Sequence, residues 1–145
     1  MKKKDLVTIG LVILLVVSLF FNAAGVHRDI QKNANSVNCV YTEFEELNDS
    51  LKKYGDSNDE QEYLNSVVSL DKVITIIELE LDESHYCKKE LDRLRLLSSY
   101  LHNDKEFATS NINDFVSITN ELSKDIDDMN SFAMIYQLRS KYDEQ

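Results

Sequence analysis

Two patterns of apolar residues divide the chain. From Leu6 to Val26 no residue is charged, and 13 of the 16 positions from Leu6 to Phe21 are Leu, Ile, Val or Phe. Further along, the apolar positions become periodic. Val37, Val40, Phe44, Leu47, Leu51 and Tyr54 follow one another at alternating spacings of three and four, a heptad seam that Ile30 and Asn33 lead into. Nothing between Gly25 and Lys53 breaks a helix. The pattern therefore predicts one helix growing directly out of the uncharged stretch and ending at Gly55, placed as a C-terminal cap.

Ser57 and Glu60 make a capping-box pattern that opens a second helix, in which Tyr63, Val67, Leu70, Ile74, Ile77 and Leu81 repeat the seam. Leu64, Val68, Val73, Ile76 and Leu79 widen its apolar face, so this element is expected to be the most buried. Carried past Leu81, the same phase would turn Ser84, Lys88 and Arg95 inward, which predicts a turn at Asp82–Ser84. A third helix is expected from about Ser84 to His102, with Leu91, Leu94, Leu97 and Leu101 inward. Asn103 and Glu106 then open a fourth, carrying Phe107, Ala108, Ile112, Phe115, Ile118, Leu122, Ile126 and Met129. A weak interruption over Asp127–Ser131 sets off a terminal piece with Phe132, Ala133, Ile135, Tyr136 and Leu138.

The expected fold is all-α: an N-terminal transmembrane helix continuing into an antiparallel four-helix bundle. The competing arrangement is an extended coiled coil, in which the first helix pairs with its copy in another molecule. Composition supports helices. There is no proline or tryptophan, and the three glycines are Gly10, Gly25 and Gly55, too few for strands joined by tight turns.

As a helix, the uncharged stretch is about 31 Å long, enough to cross the hydrocarbon core of a bilayer. Lys2, Lys3 and Lys4 stand just before it and place the N-terminus in the cytoplasm. Three regions follow: a basic cytoplasmic tail over residues 1–5, an anchor over 6–26, and an extracytoplasmic helical domain over 27–145. A cleaved signal peptide is the alternative, since cutting after Gly25 would put Ala23 at the position that wants a small residue.

The formal net charge is −10. Setting aside residues 1–24, which hold three lysines and Asp5, leaves 25 acidic and 13 basic residues. So acidic a domain is unsuited to nucleic acid or to an anionic membrane surface, both of which demand basic patches. The charges also alternate between elements. Lys88, Lys89, Arg93 and Arg95 on the third helix lie between Glu78, Glu80, Asp82 and Glu83 of the second and Asp114, Glu121, Asp125, Asp127 and Asp128 of the fourth. Such alternation can specify neighbours within a bundle.

Candidate chemistry is sparse. With helices rising, returning and rising again, Cys39 and Cys87 come within about 3–8 Å of the same height, and an exported compartment permits a disulfide between them. His85 and Cys87 are two apart, with Glu83 nearby. Residues so spaced do not share a helix face, and a zinc site wants about four ligands, so Cys39 and a distant carboxylate would have to join. Asp125, Asp127, Asp128 and Asn130 resemble a calcium loop only loosely, because Met129 occupies a ligand position and no glycine follows. His27 and His102 stand alone. No nucleophile elbow or phosphate loop is present, and no Cys-His-Asn ordering has local support. Seven tyrosines, among them Tyr41, Tyr86, Tyr100, Tyr136 and Tyr142, suit core edges or an interface.

The expectation is a single-pass, non-enzymatic interaction module of the cell envelope, without catalytic residues, metal or cofactor. It would contact the lipid bilayer through the N-terminal helix and act on a protein partner or on a second copy. A ligand- or cation-sensing or carrier domain, secreted if the N-terminal segment is cleaved, is the alternative.

Overall fold

The computed structural model describes residues 3–144, and the side chains of residues 3–13, 22, 23, 27 and 29 lie outside the described set. The expected tail over 1–5 and much of the expected span over 6–26 fall there. The described residues form helices joined by short turns, with no strand among them. The helices are α1 (Lys3–Ser57), α2 (Glu60–Glu80), α3 (Tyr86–Lys89), α4 (Leu91–Asn103), α5 (Lys105–Ser110), α6 (Ile112–Leu122) and α7 (Met129–Asp143). By internal packing the chain divides into two units, Met1–Asn35 and Ser36–Gln145.

In the first unit, the described apolar side chains are all exposed. Leu14, Leu15, Val16, Val17, Leu19, Phe20 and Phe21 show between 44% and 76% of their surface, and Val26 and Ile30 about 60%. No helix is long and apolar enough to cross a membrane among the described residues, to which the uncharged stretch contributes only the side chains of 14–21 and 24–26.

The second unit holds the core. The α1 seam packs as its spacing predicts: Val40, Phe44, Leu47, Leu51 and Tyr54 are buried and Val37 is half-buried. The chain itself covers this seam, so it is not free for the coiled-coil pairing. α2 runs antiparallel to α1. Ser36 Oγ donates to Glu80 Oε2 at 2.8 Å, Lys72 Nζ meets Glu43 at 3.3 Å, and Lys53 Nζ lies 3.9 Å from Glu62. On α2, Tyr63, Leu70, Val73 and Ile77 are buried, as is Leu81 just beyond it. Leu64, Val68 and Leu79 are exposed, so the widened apolar face is not all used.

Helix ends differ from expectation by one to three residues, and each shift has a local cause. α1 continues through Gly55 to Ser57, and Asn58 takes the left-handed conformation (φ 52°) while its N–H donates to the Tyr54 carbonyl at 2.8 Å. Asn tolerates that region, so no glycine is needed. The cap of α2 is Asp59, not Ser57, and accepts from Gln61 N. The cap of α5 is Asp104, not Asn103, and accepts from Phe107 N. In both places an aspartate further along supplies the cap, its negative charge favoured at the helix N-terminus.

The expected third and fourth helices are each cut. The break at Glu90 separates α3 from α4, and the break at Asn111 separates α5 from α6, its amide nitrogen donating to the Phe107 carbonyl at 2.9 Å. The terminal piece is a full helix, α7, packed on α4 and α6. Leu91, Leu94, Leu97, Leu101, Phe107, Phe115, Ile118, Leu122, Phe132, Ile135 and Leu138 complete the core, whereas Met129, expected inside, is exposed. Between α1 and α6, the hydrogen-bonding surroundings of Asn48 assign its amide nitrogen to the side facing Thr119 Oγ1 at 3.2 Å and the Val116 carbonyl at 3.1 Å. Its oxygen accepts from Lys52 Nζ at 2.8 Å, so this buried amide is satisfied.

Candidate functional site

Without glycine or proline, α2 still ends sharply. The Asp82 carboxylate accepts from Ser84 N at 2.9 Å, closing an Asx turn, and Leu81 leaves the helix extended. Lys88, from the following helix, reaches back to the Ile77 carbonyl at 3.0 Å and to the Glu78 carbonyl. A cation on the last carbonyls of α2 satisfies orphan acceptors and favours the negative end of its dipole. Arg95 adds an ion pair to Glu78 at 2.8 Å. Of the four basic residues expected to specify neighbours, Lys88 and Arg95 reach α2, whereas Arg93 pairs with Glu90 and donates to the Phe132 carbonyl at 3.0 Å.

This turn delivers His85 and Cys87 to the loop between α6 and α7. That loop is built by its own carboxylates. Asp125 accepts from Asp127 N at 3.0 Å, and Asp128 caps α7 by accepting from Asn130 N and Ser131 N. Oxygens of Asp125 and Asp128, which loosely resembled a calcium loop, are therefore spent on backbone N–H groups. Asp127 is the one aimed across the junction. Its Oδ1 accepts from Cys87 N at 2.8 Å, and its Oδ2 lies 3.0 Å from His85 Nδ1. The Cys87 thiol sulfur lies within 4.8 Å of this carboxylate.

A ring nitrogen of His85, Cys87 Sγ and a carboxylate oxygen of Asp127 all lie within 4.8 Å of one another. Cys87 is wholly buried, while the His85 and Asp127 side chains are 19% and 34% exposed. Burial, then the Asp127 charge and its hydrogen bond, push the Cys87 thiol up to about 12. Burial alone would also raise Asp127. The Cys87 N–H, the His85 ring and the Cys87 thiol outweigh it and hold the carboxyl below its usual range.

A cysteine nucleophile needs a lowered thiol pKa and access for substrate. Cys87 has neither, so the Cys-His-Asp grouping is not built for acyl transfer. It does bring together three different metal-ligating donors. The sequence offered His85 and Cys87 but gave no means of choosing Asp127 among 26 acidic residues. The turn signals on both sides were the available clue.

The expected Cys39–Cys87 bridge is not formed. Both thiols are free, Cys39 exposed and Cys87 buried. Helical rise set their heights, but the position of Cys39 next to buried Val40 turns it to solvent, while Cys87 faces Asp127. His102 Nε2 lies 2.8 Å from Asp71 Oδ2 on the surface, and His27 lies outside the described side chains. Tyr100 Oη is buried with no protein partner, its ring stacked near Phe107 and Tyr142. A groove of about 370 Å³ between α1 and α2 is lined largely by polar residues, among them Glu46, Asp49, Lys53, Glu62 and Lys72. No protein-family model, curated protein or solved structure matches the chain.

Proposed function

We propose that the chain is a membrane-tethered helical protein whose antiparallel bundle, over residues 27–145, works outside the cytoplasm as a non-enzymatic interaction module. The observation that carries the reading is the exposure of Leu14–Leu15–Val16–Val17 and Leu19–Phe20–Phe21, all in a stretch without charge from Leu6 to Val26. A helix that is apolar all round and exposes that surface is suited to lipid. Lys2, Lys3 and Lys4 favour a cytoplasmic N-terminus. The helical unit supports an interaction role through its short loops and through exposed Leu64 and Val68 on one face of α2.

The native cysteines provide the test. In intact cells, a membrane-impermeant maleimide should label exposed Cys39 from outside, while the protein stays in the membrane pellet after alkaline carbonate extraction. Recovery in the soluble fraction would sink the tether. Labelling of Cys39 only after lysis would reverse the orientation.

A further inference from the structure

We propose that His85, Cys87 and Asp127 form a binding site for a zinc-class divalent cation, with three protein ligands and a fourth position open to water or a partner's donor. The inference is independent of the membrane reading, because all three residues lie in the helical unit.

Donor chemistry selects the class of ion. Imidazole nitrogen and thiolate sulfur suit zinc, cobalt and their neighbours, whereas calcium and magnesium take oxygen. Geometry fits as well. The edges of a tetrahedral zinc site with these donors are about 3.3–3.7 Å, from metal–ligand distances of about 2.0–2.3 Å. His85 Nδ1 and Asp127 Oδ2 are 3.0 Å apart, and the widest of the three separations is within 4.8 Å. Binding then requires the thiol and imidazole to turn about their side-chain torsions until the donors reach those edges. The carboxylate is already oriented, because Cys87 N–H holds Oδ1 and leaves Oδ2 facing His85. In known metal sites such backbone and side-chain bonds to the ligands are part of the design.

Binding exchanges one set of contacts for another. The His85–Asp127 hydrogen bond opens, the Nδ1 proton is lost to solvent while Nε2 takes one up, and the neutral ring then presents the Nδ1 lone pair. The Cys87 S–H bond breaks heterolytically, its proton leaving to solvent and its electron pair going to the metal. Without a cation the buried thiol keeps its proton. A divalent charge between it and Asp127 reverses that balance, since a coordinating thiol is deprotonated outright. His85 and Asp127, both partly exposed, give the ion its route in.

The test titrates the reduced, metal-free full-length chain in detergent micelles with Co²⁺. One equivalent should bind and produce a sulfur-to-cobalt charge-transfer band, and Zn²⁺ should abolish it by displacement. Cys87→Ser should remove the band and Cys39→Ser should leave it intact. His85→Gln and Asp127→Asn, which keep much of the local shape, should each weaken Co²⁺ binding roughly tenfold or more. Circular dichroism of each variant separates loss of the site from loss of the fold. Three results would each overturn the proposal: no charge-transfer band in the wild type, a band that survives Cys87→Ser, or unchanged affinity in both His85→Gln and Asp127→Asn.

Discussion

The α1–α2 pair of the helical unit and the segment from Asp82 to Ser131 are both helical, yet they are held by different forces. The first pair is held by a seam. Six apolar positions at alternating spacings of three and four, Val37 to Tyr54, join one core with a matching row from Tyr63 to Leu81, and the polar contacts between the helices are two surface ion pairs and the Ser36–Glu80 hydrogen bond. The second segment is cut into short helices by Asp82, Glu90, Asp104, Asn111 and Asp128, and is held at its breaks by directed bonds. Asp127 bonds back across about 40 residues of chain to Cys87. Regular packing builds a wall, and the place where regularity fails is where unlike donors meet.

The largest effect should come from the seam. Phe44 is wholly buried, so Phe44→Ala should cost about 3–5 kcal/mol in urea unfolding, through lost burial and the cavity left behind. Asp127→Ala should come next. It strips a charged acceptor from the Cys87 N–H and from His85, and hydrogen bonds to charged groups contribute about 1.5–3 kcal/mol. Asp127→Asn, which still offers an oxygen to Cys87 N, should cost less. If Asp127→Ala were neutral, the junction would be held by packing alone and the contrast with α1–α2 would vanish.

A smaller loss, about 1 kcal/mol, is expected for Asp128→Ala, which removes the cap of α7. The pH dependence of this contribution has a definite sign. Its bonds from Ser131, with those from Asn130, hold the Asp128 carboxyl below its usual range. The stabilisation is therefore present above the unfolded value of about 3.9 and lost as pH falls through the lower folded value. Asp128→Asn keeps the cap and should flatten that part of the acid profile. The smallest effect belongs to the surface: Lys72→Ala, which breaks the pair with Glu43, should change stability by about 0–1 kcal/mol, and by less in high salt.

How much was legible in the sequence follows the same division. Periodicity found the α1 and α2 seams and the inward leucines of α4, because burial of one helical face leaves a 3.6-residue trace. It also overreached. Leu64, Val68 and Leu79 are apolar yet exposed, and apolar character alone does not say which residues are covered. Helix ends were found to within a few residues, since Asp, Asn and Ser compete locally for the same N–H groups. The site was half legible. His85 and Cys87 could be singled out, but Asp127 acts through the path of the chain between α6 and α7, and no local pattern records that path. The disulfide expectation failed for a related reason: rise along a helix gives height, and only packing gives the face.

The most direct test of the enclosed junction is the reactivity of the two native thiols in the purified, non-reduced full-length chain. Two free thiols should be counted. Cys39 should react with a small thiol reagent as an exposed thiol does, and Cys87 at least about a thousandfold more slowly, at a rate set by opening of the fold. No free thiol before reduction would restore the bridge, and equal rates would mean that Cys87 is not enclosed beside Asp127.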